Sequence, residues 1–185
     1  MQDDIHDGLA WFIEEGITDP ERVCVVGGSF GGYAALMGAV KSPDAFRCAV
    51  SFAGVSDIEM LLKESKRYSN RKVVEKQIGD LKKDRNRLRA TSPRLHAEKI
   101  QIPIMLAHGS EDRVVPIEQS EVMAKALDKA GKSFNFLVFD DGDHYLSKEE
   151  YRVRLFRMMD IFLARHLKKA SNPSETPLSS AESAE

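Results

Sequence analysis

Gly27-Gly28-Ser29-Phe30-Gly31-Gly32 follows the apolar run Val23-Cys24-Val25-Val26 and leads into Tyr33-Ala34-Ala35-Leu36-Met37-Gly38-Ala39-Val40. The run reads as a strand, the glycines as a tight turn and the last stretch as a helix. This is the setting that a G-x-S-x-G motif requires. Such a turn forces its serine into a strained backbone position, and the glycines keep neighbouring side chains clear. The Ser29 hydroxyl then stands exposed above the sheet edge. The backbone N–H of Phe30, at the helix start, is placed to stabilise an oxyanion. Phosphate-binding turns are the competing reading. A Walker loop needs Gly-Lys-Ser/Thr, and a dinucleotide fingerprint needs G-x-G-x-x-G. Neither pattern is met, so Ser29 is read as a nucleophile.

A serine hydroxyl needs a base beside it and a third group to hold that base. In the chain order that goes with this turn, the acid and then the histidine follow the serine. His6 precedes the turn, whereas His96, His108, His144 and His166 follow it. His166 closes an amphipathic stretch, where a histidine complements the helix dipole. His96 lies in a polar link and reads as a surface residue. His108 ends the apolar run Ile102-Pro103-Ile104-Met105-Leu106-Ala107, and His144 lies just beyond Phe134-Asn135-Phe136-Leu137-Val138-Phe139. Both runs read as buried strands. Catalytic groups in open parallel sheets sit beyond the carboxyl ends of the strands. Asp112 is on the loop after the first run and His144 on the loop after the second. Pro116 to Ala130, stopped by Gly131, supplies a helix between them, with Val122, Met123, Ala126 and Leu127 on one side. Asp112 is read as the orienting acid and His144 as the base. His108, the competing base, is read as a loop-packing residue satisfied locally. Asp140, Asp141 and Asp143 lie too close in sequence to His144 to face its ring from a separate strand, and are read as exposed or as capping the next helix.

Taken together, Asp19-Pro20-Glu21-Arg22-Val23, the Gly27–Tyr33 turn and Ser42-Pro43-Asp44-Ala45-Phe46-Arg47 resemble the catalytic domain of the prolyl oligopeptidase family. His108-Gly109-Ser110-Glu111-Asp112-Arg113-Val114-Val115-Pro116 is similar to its acid loop and Gly142-Asp143-His144 to its histidine loop. The nearest likeness is to the acylaminoacyl-peptidase and dipeptidyl-peptidase-like branch. The resemblance implies an α/β class, with the C-terminal portion of an α/β-hydrolase fold over residues 1–169: a mostly parallel sheet flanked by helices. It implies Ser29 as nucleophile, His144 as base, Asp112 as its orienter and the Phe30 N–H as one oxyanion donor. It also implies a peptide or N-acylated peptide substrate, no cofactor, and a specificity pocket lined by Val55, Val114 and Val115. An esterase or dienelactone-type hydrolase, or a catalytically silent fragment, is the alternative, since one fold hosts many activities.

Members of that family place a β-propeller and several strands ahead of the segment at which this chain begins. The chain is therefore expected to be a fragment of a longer peptidase or to carry a misassigned start, rather than to be a minimal hydrolase. Four strand candidates remain, at 23–26, 48–53, 102–107 and 134–139. Val23 to Val26 is apolar on both faces, as befits a strand buried on two sides. Without the preceding strands one of its edges is unpaired, which invites pairing with the missing strands or with a second copy. The loop that donates the second oxyanion group in relatives is also absent, and losing one such donor costs about 10²–10³ in rate.

Composition adds bounds. The 185 residues suit one domain, and a net charge of −2 gives no pull toward nucleic acid or a membrane. No apolar run is long enough to span a bilayer, and the acidic Met1-Gln2-Asp3-Asp4 start is unlike a signal peptide. The location is left open, with a cytoplasmic chain favoured over a periplasmic or secreted parent. Cys24 and Cys48, on adjacent strand candidates, read as two buried thiols, and their spacing gives no support to a disulfide. No metal-ligand motif is present. Residues 3–16 read as a helix with Ile5, Leu9, Phe12 and Ile13 as its packing stripe. Lys63 to Lys99 is rich in lysine and arginine but nearly free of aromatic residues, Tyr68 being alone, so it reads as a solvated helical excursion rather than a nucleic-acid patch. Ser147 to Leu167 reads as a closing helix with Ser147 and Glu150 as a capping box and Tyr151, Leu155, Met158, Met159, Phe162 and Leu163 inward. Residues 170–185, polar and serine-rich, are expected to be disordered.

Overall fold

Short apolar runs separated by helix-length segments favour parallel pairing, because each crossover needs about a dozen residues. The computed structural model describes residues 2–65 and 71–168, and it has that arrangement. Strands β1 (Cys24–Gly28), β2 (Cys48–Phe52), β3 (Ile104–Gly109) and β4 (Phe134–Phe139) form one parallel sheet in the order β1-β2-β3-β4. Helices α1 (Gln2–Glu14), α2 (Phe30–Lys41), α3 (Ile58–Ser65), α4 (Arg71–Ile78), α5 (Arg85–Ala90), α6 (Glu118–Lys129) and α7 (Glu149–His166) surround it. The expected tail, and Tyr68, lie outside the described residues.

Side chains alternate across a strand, and the sheet sorts its apolar residues accordingly. Ala49, Ile104 and Leu106 face a layer holding Leu36, Ala39 and Val40 of α2, Met123, Ala124 and Leu127 of α6, and the short 3₁₀ segment at Pro93–Lys99. Cys48, Val50, Met105 and Ala107 face the other way, toward Leu155 and Phe162 of α7. α2 is apolar on all sides and buries every residue from Ala34 to Val40, as expected of a helix wedged between sheet and neighbours. Its link to α1 is polar: the Gln2 Nε2 donates to the Ala34 carbonyl at 3.0 Å. A third cluster (Val55, Ile58, Leu62, Leu88 and Val115, with Tyr33 beside them) ties the loops beyond the carboxyl edge to α3 and α5. The basic excursion is thus a set of short helices joined by turns where it is described, with an apolar underside.

β1 is the terminal strand of the described sheet, and its Val26 is 48% exposed. The expected open edge is therefore present. Several local readings need correction. Cys24 and Cys48 are not two thiols but a disulfide: they are register partners on neighbouring strands, with Cα atoms 4.7 Å apart. That separation lies within the range a disulfide requires. In α1, Ile5 and Leu9 pack on the core while Phe12 is 44% exposed. Met158 of α7 is also exposed. Ser147 does not cap α7; its N–H and hydroxyl both donate to Asp143. His96 is half-buried, with its Nε2 3.1 Å from the Arg89 carbonyl.

Candidate active site

The Ser29 turn is strained in the way its glycines suggest. Ser29 has φ 55° and ψ −118°, a backbone state that costs a non-glycine residue about 1–3 kcal/mol. Two backbone bonds hold it there: Ser29 N–H donates to the Phe52 carbonyl at 2.8 Å, and Tyr33 N–H donates to the Ser29 carbonyl at 3.1 Å. The first anchors the turn to β2 and the second starts α2. Phe30 is the first residue of α2, where backbone N–H groups have no partner within the helix. The turn closes so tightly that a Cβ on Gly27 would come within 2.1 Å of the Gly31 carbonyl oxygen. Gly27→Ala should therefore cost about 1–3 kcal/mol or more, as overpacking does. A lower midpoint in chemical denaturation than wild type is the expected result, and an unchanged midpoint would contradict this close approach.

Asp112 follows β3 on a loop whose main chain turns back onto its own carboxylate. The N–H groups of Val114 and Val115 donate to Asp112 Oδ1 at 2.8 and 2.9 Å. The other oxygen, Oδ2, lies 2.7 Å from Nδ1 of His144 and 3.2 Å from Nε2 of His108. Burial pushes the Asp112 carboxyl up, but the bonds from His108, His144, Val115 and Val114 together bring it below the usual carboxylate value. Asp112 is thus held ionised. An ionised carboxylate only accepts, so His144 Nδ1 carries the proton and its Nε2 is left as an acceptor. This is the tautomer that a general base for a serine hydroxyl must have.

His144 reaches Asp112 because the loop after β4 curls back over the sheet. Leu146 is 1% exposed and belongs to the apolar cluster with Cys48, Val50, Met105 and Ala107 of β2 and β3. The two loops also lock main chain to main chain: Ser110 N–H donates to the Phe139 carbonyl and Glu111 N–H to the Gly142 carbonyl, both at 2.9 Å. His144 itself is 9% exposed, and its ring stands nearly perpendicular to that of Tyr145 with centroids 5.3 Å apart. Ser29, Asp112 and His144 all stand beyond the carboxyl ends of strands, on one side of the sheet. Asp141 is exposed and Asp143 half-buried; Asp141 pairs with Lys148 and Tyr151, and Asp143 with Ser147. Those bonds hold both carboxyls below the usual value.

The three valines of the expected pocket are not equivalent. Val55 and Val115 are buried in the cluster with Leu62 and Leu88, while Val114 is 54% exposed. Val114 and Val115 serve the site through their main-chain N–H groups. Sequence reasoning also passed over a buried polar knot under the loop after β2. The Gln119 Oε1 accepts the N–H groups of Ser56 and Asp57 at 2.8 Å each, its Nε2 donates to the Asp57 carbonyl, and Arg94 pairs with Asp57 at 2.5 Å. A glutamine near the start of an amphipathic helix gives no sign in sequence that it will be fully buried. Among the described residues no three His, Cys, Asp or Glu side chains gather where they could hold a metal ion. Among the same residues no helix is long and apolar enough to cross a membrane.

A sequence model of the prolyl oligopeptidase family matches residues 1–170. Dipeptidyl aminopeptidase BIII of Pseudoxanthomonas mexicana is 30% identical over 177 residues, which are 94% of this chain and 26% of that protein. The acylamino-acid-releasing enzyme of Arabidopsis thaliana is 26% identical over 170 residues, 84% of this chain and 21% of that enzyme. Among solved structures, the uncomplexed acylaminoacyl peptidase of Pyrococcus horikoshii superposes with a TM-score of 0.81 at 28% identity, covering 92% of this chain and 28% of that one. A puromycin-hydrolyzing peptidase of Mycobacterium tuberculosis superposes at 0.80 and 27% identity, over 88% of this chain and 24% of that one. The fold is therefore that of the α/β-hydrolase peptidases, and the chain spans about a quarter of the length of these relatives.

Proposed function

The chain belongs to the prolyl oligopeptidase family, and from that premise we propose that it carries the catalytic centre of a serine peptidase acting on peptide or N-acylated peptide bonds. The observation that supports this reading most is the 2.7 Å contact between His144 Nδ1 and Asp112 Oδ2, on the same side of the sheet as the strained Ser29 turn. In the proposed reaction Ser29 Oγ attacks the scissile carbonyl carbon while His144 Nε2 takes the hydroxyl proton. The Phe30 N–H donates to the oxygen that becomes negative. His144 then gives its proton to the leaving amine, which leaves an acyl group on Ser29. A water activated by His144 attacks that ester and frees the acid. Asp112 remains ionised throughout and stabilises the imidazolium.

The names of the relatives favour amide substrates. Aminoacyl and N-acyl-aminoacyl p-nitroanilides should be turned over by the purified chain, alongside the intrinsically easier p-nitrophenyl esters. Turnover of esters alone would favour an esterase and overturn the peptidase reading. The free edge of β1, with Val26 exposed on it, is read as the docking place of a further strand. That strand would come either from a longer protein of the relatives' size or from a second copy of this chain. Size-exclusion chromatography distinguishes the two, because only pairing between copies makes the purified chain a dimer.

A further inference from the structure

The second histidine on Asp112 is left unused by the proposed reaction. His108 is 0% exposed and lies near the end of β3, a strand whose residues are all buried. Its Nε2 lies 2.8 Å from the Val115 carbonyl oxygen and 3.2 Å from Asp112 Oδ2. Both neighbours only accept, so this nitrogen must carry a proton and share it between them. Its Nδ1 lies 2.7 Å from the hydroxyl of Ser120, which is 2% exposed. A hydroxyl can donate, so the neutral ring with Nε2 protonated satisfies every partner and buries no extra charge.

We propose that His108 is a positioning residue for the reaction: its Nε2–H fixes the Asp112 carboxylate so that Oδ2 points at His144. This rests on the reading of Ser29, His144 and Asp112 as a triad. The argument is one of saturation. A carboxylate offers about four acceptor sites on its two oxygens. Here the Val114 and Val115 N–H groups take Oδ1, while His144 and His108 take Oδ2. Three of those four donors belong to β3 and the loop that follows it, and they leave a single direction for the fourth. His108 also clamps the loop itself through the Val115 carbonyl, and Ser120 ties the ring to α6. The other charged groups nearby are Asp143, on the loop of His144, and Arg113, Glu64 and Glu118, which share a hollow with Asp112.

Two substitutions separate positioning from packing. In His108→Asn the amide oxygen stands where Nδ1 was, so the Ser120 bond survives and the donor to Asp112 is lost. In His108→Gln the amide nitrogen stands at the chain length of Nε2, so the donor survives and the Ser120 acceptor is lost. Phosphonylation of Ser29 by a fluorophosphonate should slow about tenfold in the Asn variant, as expected for a misaimed base. The Gln variant should recover most of that loss, although both variants remove an imidazole from the core. Equal slowing in the two variants, or none in either, would overturn the proposal.

A readout independent of reactivity accompanies the kinetics. The carboxyl carbon of Asp112, followed by NMR through an acid titration, should titrate at higher pH in the Asn variant than in wild type, because a bond that favours the ionised form is gone. It should stay near the wild-type position in the Gln variant. If the Asn variant does not fold, the ring nitrogen shifts of His108 in the unsubstituted chain decide: Nε2 protonated supports the proposal, and Nδ1 protonated overturns it. Failure of the catalytic reading would show separately, as a folded wild-type chain that the probe does not label.

Discussion

Ser29→Ala should abolish hydrolysis of aminoacyl p-nitroanilides, with a fall in kcat of about 10⁴–10⁶ and little change in KM. The size follows from what the hydroxyl does. Without Oγ there is no acyl-enzyme, and His144 and Asp112 have nothing to activate. The Phe30 N–H and substrate binding still operate, so the residue left should be the small catalysis that an oxyanion site gives alone. The substitution is also a safe one. Alanine keeps a Cβ at φ 55°, so the strain of the turn is neither added to nor relieved. The main-chain bonds to Phe52 and Tyr33 do not involve the side chain. Circular dichroism should therefore show an unchanged melting curve, and initial-rate kinetics on the same sample would give the loss. A folded variant that keeps more than a hundredth of the wild-type rate would take Ser29 out of the mechanism.

Asp112→Asn should be almost as damaging, by about 10⁴ in rate, and it should also cost stability. Four N–H groups surround the carboxylate: it accepts hydrogen bonds from Val114, Val115 and His144, and His108 Nε2 stands 3.2 Å from Oδ2. An asparagine offers one oxygen and one NH₂. Turned one way, its NH₂ meets two backbone N–H groups. Turned the other way, it meets both histidines and drives His144 toward the wrong tautomer. Each buried donor left without a partner costs about 1–3 kcal/mol. The pH dependence has a definite sign. The folded Asp112 carboxyl lies below its usual value, so its stabilising effect is complete above the unfolded carboxylate value of about 3.9 and is lost as pH falls through the folded one. The difference in melting temperature between wild type and Asp112→Asn should be level from about pH 7 to 5 and shrink below about 4. A difference that grows on acidification would contradict the ionised, fully bonded carboxylate.

Much of this was legible in the sequence, for reasons that can be named. The runs at 23–26 and 102–107 are apolar on successive residues, and 134–139 at every position but Asn135, the pattern of short strands inside a sheet. Their ends were less clear. Gly27 and Gly28 read as turn residues, yet they pair with Ser51 and Phe52. His108 and Gly109 read as loop, yet they pair with Val138 and Phe139. In both cases ladder pairing overrode the local preference of glycine and histidine. Asp112 and His144 could be picked out because few residue types do this chemistry and their order along the chain is restricted. The bond between them depends on the loop after β4 curling back under the anchor of Leu146, which no local pattern announces. The Cys24–Cys48 pairing failed to show for a similar reason: it is a property of strand register, not of spacing. The pocket expected of Val55, Val114 and Val115 came from the resemblance alone; the side chains of Val55 and Val115 belong to the third apolar cluster.

The central claim is that the Ser29 hydroxyl is the group activated by His144. Peptide-mapping mass spectrometry of the unsubstituted chain after reaction with a fluorophosphonate tests it most directly. The account predicts a single phosphonyl adduct on the peptide that contains Ser29, absent from a His144→Ala chain. An adduct on another serine, or one on Ser29 that forms equally fast without His144, would contradict it.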